Sequence, residues 1–275
     1  MYLHKHRILV FLLGLIIGCG PLFAQPTYTM HYSVVTLDST YAHHPDADMQ
    51  AYINQHKAKL DSAMGQQIGF CLNPLSSYAP QSPLSNLLTD MLYDIGNHIC
   101  MEQTGRPADM SLLNFGGIRT SMPAGKITVG TIFNILPFDN SIVIIVLKGS
   151  ELRKMFESKT LTSCQPYSHA QVYYEDNQPR MIKVNHRKLK DNKTYRLVTI
   201  DFIQTGGDKI LEGVQYEEVI PTNYLLRDAV MDYIRDNGRG AMCIYQAGID
   251  CKTDKRVMVK AKEGYVPEPL MITIH

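Results

Sequence analysis

The feature that most restricts this chain is Ser141 to Leu147, a near-continuous apolar run rich in β-branched residues. It does not alternate polar with apolar, so as a strand it has to be buried on both faces. Its sheet must then be covered on both sides, which asks for helices around a sheet.

The neighbouring segments supply them. Ser82-Pro83 opens the clearest helix, with Ser as cap and Pro at the first helical position. Leu84, Leu87, Leu88, Met91, Leu92, Ile95 and Ile99 follow at helical spacing. Thr128 caps a short helix, Val129 to Leu136, which Pro137-Phe138-Asp139-Asn140 ends. Gly149 and a cap at Ser150 start an amphipathic helix over Glu151 to Ser158, and Thr222 caps a last one over Asn223 to Asp236, ending at Gly238. Tyr28 to Leu37 is expected to be a first strand. His169 to Tyr174, Met181 to Asn185 and Tyr195 to Ile200 are three more, with a turn at Asp191-Asn192. The tail from Ala241 to His275 reads as two or three short strands. The mixture predicts one compact α+β domain over 27–275, with a mixed sheet and flanking helices.

Lys5, His6 and Arg7 before the apolar run Ile8 to Ile17 read as a leader over 1–24, too short to span a bilayer as a mature helix. Two processing sites compete. Leu22-Phe23-Ala24 suits signal peptidase, and Ile16-Ile17-Gly18-Cys19 suits a lipobox in which Cys19 is lipidated. Either implies export, to the periplasm or to a membrane-anchored lipoprotein of a bacterium. Cys71, Cys100, Cys164, Cys243 and Cys251 then remain, an odd number, with Cys243 and Cys251 the favoured disulfide because they are close in sequence. Lys and Arg number 27 against 26 Asp and Glu, and no block of one sign stands out. Bulk charge therefore points neither to a nucleic-acid polymer nor to a membrane surface, leaving a lipid anchor as the membrane link.

His43, His44, Asp46 and Asp48 look like metal ligands, but the two acids precede a helical stretch, Met49 to Met64, where they cap free N–H groups. Gly96-Asn97-His98 lies inside the helix that follows Pro83, and Ile99 stands where a metallophosphoesterase motif has its acid; it is read as coincidence.

The stretch Asp109 to Arg119 is different. An apolar strand segment ends in Asn114, Phe115, Gly116, Gly117, Ile118 and Arg119. Glycines after a strand permit tight turns and close approach, and Arg offers a planar fork for oxygen-rich ligands. Two other loops share this character: Pro137 to Asn140, and Asp201 to Asp208 with its own Gly206-Gly207 pair. Five motifs now stand in order: Ser82-Pro83-Leu84-Ser85-Asn86-Leu87, Asn114 to Arg119, Leu136-Pro137-Phe138, Leu147-Lys148-Gly149, and Asp201 to Asp208. Together they resemble the C-terminal domain of 5′-nucleotidases, a family that includes bacterial UDP-sugar hydrolases and eukaryotic ecto-5′-nucleotidase. The resemblance covers roughly 46–239.

The resemblance implies a nucleoside site. Phe138 and Phe202 would sandwich the base, since every base has a π-face. Asn114 would bond the base edge, Arg119 the ribose or phosphate oxygens, and Asp208 the ribose hydroxyls. Gly116, Gly117, Gly206 and Gly207 would let backbone come close. Three positions depart from the family. Tyr78-Ala79-Pro80-Gln81 has no Arg before the Ser82 helix, Lys209 follows Gly206-Gly207-Asp208 with its charge toward phosphate or solvent, and Ser168-His169 replaces a Ser-Gly pair. The metallophosphoesterase motifs, Asp-x-His and Gly-His-x-His among them, are not found. The expectation is a nucleotide-specificity subunit of an exported split 5′-nucleotidase. It binds a nucleoside or nucleoside monophosphate, has no cofactor and no phosphatase activity of its own, and works with a separate metallophosphoesterase chain that carries the divalent metals. The alternative is a stand-alone exported nucleoside- or nucleotide-binding protein.

Overall fold

The computed structural model describes residues 30–36, 38–39, 46–237, 243–244 and 255–259. The chain divides into two compact units, Met1–Ile53 and Asn54–His275. In the first, residues 30–36 carry no regular structure and are exposed. The strand expected over Tyr28 to Leu37 is therefore not formed over residues 30–36; residues 28, 29 and 37 lie outside the described residues. Helix α1, Ala47–Met64, starts in this unit. Its first turn is held by Asp46, whose Oδ1 accepts the Met49 N–H at 3.0 Å, so this acid caps a helix, as the sequence suggested. None of the side chains of α1 is buried.

The second unit holds the fold. Helix α2, Pro83–Thr104, opens with a reciprocal cap between Ser82 and Ser85 and closes at Gly105, whose φ of 67° lies in the left-handed region. The remaining helices are α3 (Val129–Ile135), α4 (Gly149–Glu157), α5 (Asp201–Gln204) and α6 (Leu226–Asn237). The strands are β1 (Gln67–Cys71), β2 (Met110–Leu112), β3 (Gly125–Thr128), β4 (Ser141–Lys148), β5 (Tyr167–Ser168), β6 (Ala170–Glu175), β7 (Gln178–Val184), β8 (Arg187–Lys188), β9 (Thr194–Ile200), β10 (Glu218–Leu225), β11 (Cys243–Ile244) and β12 (Val257–Val259).

The central sheet has five strands in the order β10-β4-β9-β2-β5. It is mixed: β9 and β2 run parallel, and the other pairs antiparallel. Every residue from Ile142 to Leu147 of β4 is buried, as the apolar run demanded. Helices α2 and α4 both pack on β4 and β9. The β6–β7–β8 hairpins form a second sheet, with β12 parallel to β6. Here Arg256, just before β12, is buried and ties the tail down. It pairs with Asp90 at 2.7 Å and donates to the Tyr167 carbonyl at 2.9 Å. A third sheet joins β11, β1 and β3.

Several local expectations need correction. Asn223 to Leu225 do not start the last helix but end a strand, Glu218–Leu225. Thr222 does not cap that helix: its hydroxyl donates to the Ile142 carbonyl at 2.7 Å, and α6 begins at Leu226. Pro221 concealed this strand. Proline is tolerated here because β10 is an edge strand. Ser150 is not a cap either. Helix α4 starts at Gly149, and the N–H groups of Gly149 and Ser150 donate to the Lys193 and Asp191 carbonyls. A tight connection there leaves no room for side-chain capping, since a Cβ on Gly149 would lie 2.0 Å from the Lys190 carbonyl oxygen. Asp201 to Gln204 is a helical turn, α5, where a loop was expected. Cys71, Cys100 and Cys164 are buried, with the Cys71 Sγ donating to the Asn73 carbonyl at 3.0 Å, and burial pushes the Cys164 thiol up to about 12. The proposed Cys243–Cys251 disulfide, the leader and the end of α6 at Gly238 lie outside the described residues.

Gly96, dismissed as part of a chance metal motif, has a structural role. A Cβ at this position would sit 2.2 Å from Cγ1 of Val198 on β9, so glycine sets how closely α2 lies on the sheet. Asn97 beside it accepts the Ala108 N–H at 2.9 Å, and His98 pairs with Glu102 on the surface. Helix propensity alone favours alanine over glycine by ~1 kcal/mol. The clash with a stiff β-branched side chain outweighs this: Gly96→Ala is expected to destabilise the protein by about 1–3 kcal/mol in denaturant unfolding. Adding Val198→Ala should recover part of the loss relative to the sum of the single changes.

Candidate functional site

Strands β4 and β9 pair over their whole length, from Ile142↔Ile200 to Lys148↔Thr194. The ends near Ile142 and Ile200 carry the loops that the sequence grouped together, and β2 delivers the third. Asn114, Gly116, Gly117, Arg119, Phe138, Phe202 and Asp208 line one cleft of about 220 Å³. Asn140 lines it too; the sequence reading included it in a loop without giving it a role. Gly206, Gly207 and Lys209 do not line the cleft. Lys209 is exposed, which favours its solvent reading.

Asn114 is 5% exposed, and its Nδ2 donates to Asp208 Oδ2 at 2.6 Å. A carboxylate only accepts, so this bond fixes the orientation of the amide. The Oδ1 atom is thereby left as a buried acceptor with no protein donor. Such an atom is costly unless something donates to it. Gly117 is required by the same amide, because a Cβ there would lie 2.7 Å from Asn114 Oδ1. The close approach expected of these glycines is thus first of all an approach by the protein's own side chains. The same holds for Gly207. A Cβ there would lie 2.4 Å from Cε1 of Phe202, so the ring packs over a bare backbone.

The loop after Phe202 turns through Gly206 at φ 105°, Asp208 at 52° and Lys209 at 50°. Three left-handed residues in four make a sharp return, and Asp is among the few side chains that tolerate it. Lys159 supports the turn by donating to the Lys209 carbonyl at 3.0 Å. The effect is to bring Asp208 back over Asn114.

Arg119 is exposed at the rim. Its backbone N–H bonds the Ile135 carbonyl at 2.9 Å, and Nη1 donates to the Gly116 carbonyl at 3.3 Å. One of its five donors is used in this way, and the fork is anchored beside the Gly-Gly turn. Phe138 and Phe202 remain 48% and 41% exposed. Two half-exposed aromatic rings on the walls of one cleft are unusual for core residues and suit stacking on a flat ligand.

The sequence missed what holds the Phe138 loop. Arg227, at the start of α6, is buried. It donates to the Pro137 carbonyl at 3.2 Å, pairs with Asp139, and lies over the Phe133 ring at 4.1 Å. The Leu226 N–H adds a bond to the Asn140 carbonyl at 2.8 Å. Misplacing the start of α6 hid this brace, because a residue assigned to the helix interior has no reason to reach a loop 90 positions earlier. Among the described residues, no group of three or more His, Cys, Asp or Glu is arranged to hold a metal ion.

Comparison with known proteins agrees with this architecture. The 5′-nucleotidase C-terminal domain family matches residues 65–214, more than half of the chain. The protein UshA of Yersinia enterocolitica is 29% identical over 139 residues, covering 49% of this chain and 25% of that protein. The 5′-nucleotidase of Bos taurus is 26% identical over 211 residues, covering 66% of this chain and 36% of that protein. The chain thus spans between a quarter and about a third of these relatives. Among solved structures, a 5′-nucleotidase precursor from Thermus thermophilus superimposes with a TM-score of 0.61 at 24% identity, over 78% of this chain and 42% of that one. An NAD nucleotidase from Haemophilus influenzae gives 0.55 at 15% identity, over 79% and 42%. The fold, the order of the loops and the matched family agree: the chain belongs to the 5′-nucleotidase C-terminal domain family.

Proposed function

We propose that this chain holds the nucleoside part of a nucleotide for a phosphoesterase supplied by a separate chain, as the specificity subunit of an exported split 5′-nucleotidase. One observation carries the reading. Phe138, Phe202, Asn114, Arg119 and Asp208, drawn from three distant loops, line a single cleft. Oδ1 of Asn114 has no protein donor and would suit an N–H donor on a base edge once a shift of the side chain exposes it. Asp208 is placed to accept from ribose hydroxyls once its bond with Asn114 is shared or exchanged. Arg119 at the rim is the residue able to reach phosphate oxygens. Divalent metals on the partner would clamp the phosphate and activate water there. This chain contributes binding, orientation and discrimination between bases. If Cys19 carries a lipid, a shared membrane would raise the effective concentration of the two chains, as a linker does in a single polypeptide.

Calorimetry with nucleosides and nucleoside monophosphates tests the site. Phe138→Ala and Phe202→Ala should each weaken binding by roughly 1–3 kcal/mol, the value of one base–aromatic stack. Folded variants that bind as tightly as the parent would remove the sandwich. Arg227→Ala should weaken binding as well, although Arg227 is not among the cleft-lining residues, because the loop carrying Phe138 loses its brace. That loss should shrink sharply in the Phe138→Ala background, since the two changes act on one ring.

Reconstitution tests the split. Mixing the chain with a candidate metallophosphoesterase should raise phosphate release from nucleoside monophosphates. Arg119→Ala should reduce that turnover more than it reduces nucleoside binding by this chain. A mixture no faster and no more selective than the phosphoesterase alone leaves the stand-alone binding protein as the correct reading.

A further inference from the structure

At the end of the central sheet away from the cleft lies a second concavity, of about 350 Å³. Strand β9 separates the two: Ile200 lies at the cleft end and Tyr195 lines the second pocket. Five residue rises of strand put them roughly 17 Å apart. The pocket is lined by Val184, Asn185, Arg187, Lys188, Lys190, Lys193 and Tyr195. Four of these are cations, and none is an acid.

Only one of the four charges is neutralised from nearby. Lys193 pairs with Asp109 at 2.9 Å and lies over the Tyr195 ring at 4.4 Å. Among the described residues, no carboxylate pairs with Lys183, Arg187, Lys188 or Lys190. Asp191, the acid inside this run, is turned to Arg153 at 2.7 Å. Lys183 and Lys188 also stand directly opposite across the β7–β8 hairpin. Like charges in that position destabilise a sheet, so the hairpin retains a repulsion that an anion would relieve.

The scaffold under these cations is fixed. The carbonyls of Asp191 and Lys193 accept the N–H groups of Ser150 and Gly149 at the start of α4. The Lys190 N–H donates to the Tyr195 hydroxyl at 3.0 Å. The hairpin turn itself uses Asn185 and His186 at φ 49° and 60°, the geometry of a tight two-residue connection. Backbone held in this way keeps Arg187, Lys188 and Lys190 around one hollow without a ligand to gather them.

We propose that this pocket is an anion site for a phosphate-bearing group, separate from the nucleoside cleft and independent of the function proposed for it. An Arg fork with two lysines suits the several oxygens and the multiple charge of a phosphate monoester or diphosphate. A free phosphate compound and a phospholipid headgroup offer the same chemistry.

The test uses the full chain and a double variant, Arg187→Ala with Lys190→Ala, both exposed positions. Calorimetry with pyrophosphate and sedimentation with vesicles of phosphatidylglycerol or of phosphatidylcholine are run at about 0.15 M salt, where loosely held surface charge is largely screened. The expected result is saturable binding at one ligand per chain, weakened at least ~10-fold in the double variant, a change of about 1.4 kcal/mol. Nucleoside binding at the cleft should be unchanged. Binding of pyrophosphate identifies a soluble ligand; binding of phosphatidylglycerol vesicles alone identifies a lipid headgroup. No binding of either probe at this salt, or equal binding by the double variant, overturns the proposal.

Discussion

The pairing of β4 with β9 is the constraint on which the rest of the structure depends. Seven consecutive residue pairs run from Ile142↔Ile200 to Lys148↔Thr194. Both strands lie in the middle of the sheet, and Ile142 to Leu147 are buried throughout. An apolar strand of this kind has no solvent face, so a one-residue slip would not expose it to water. Register has to come from elsewhere, and several contacts supply it. Thr199 donates to the Leu112 carbonyl at 2.9 Å, and Thr222 donates to the Ile142 carbonyl. Gly96 admits Val198 at one level of α2 only. These few contacts turn a generic apolar layer into a sheet with fixed ends, and the cleft-lining loops hang from those ends.

How much of this could be read from the sequence follows from the range of each interaction. Local signals were faithful. The Ser82 and Thr128 caps form as expected, each with a reciprocal partner that the sequence reading had not named, because a cap is decided within four residues. The buried strand was evident from its composition. The failures lie where a distant partner overrides the local pattern. Thr222 looks like a cap but bonds across to β4, and Pro221 looks like a strand breaker but occupies an edge. Tyr28 to Leu37 reads as a strand, yet its residues 30–36 carry no regular structure. Arg256 and Arg227 attracted no attention, because a single Arg in a sequence carries no sign of being buried.

The candidate site divides in the same way. The three loops were identifiable because their motifs occur in a recognisable order, and the structure brings their residues to one cleft. What the sequence left hidden is the division of labour among the glycines. Gly117 and Gly207 were expected to admit a ligand, but they make room for the Asn114 amide and the Phe202 ring. The bond between Asn114 and Asp208 was equally invisible, since its partners lie 94 residues apart.

That separation has a consequence for how the protein comes into being. Asn114 and Asp208 meet only after β2, β4 and β9 have all found their places, so no early hairpin or nascent helix contains half a cleft. Closing so long a loop is an entropic step that comes before the contacts rewarding it. A ligand that prefers the finished cleft therefore favours the folded sheet as a whole over every less complete form. Occupancy of the cleft would thus report that the central sheet is complete.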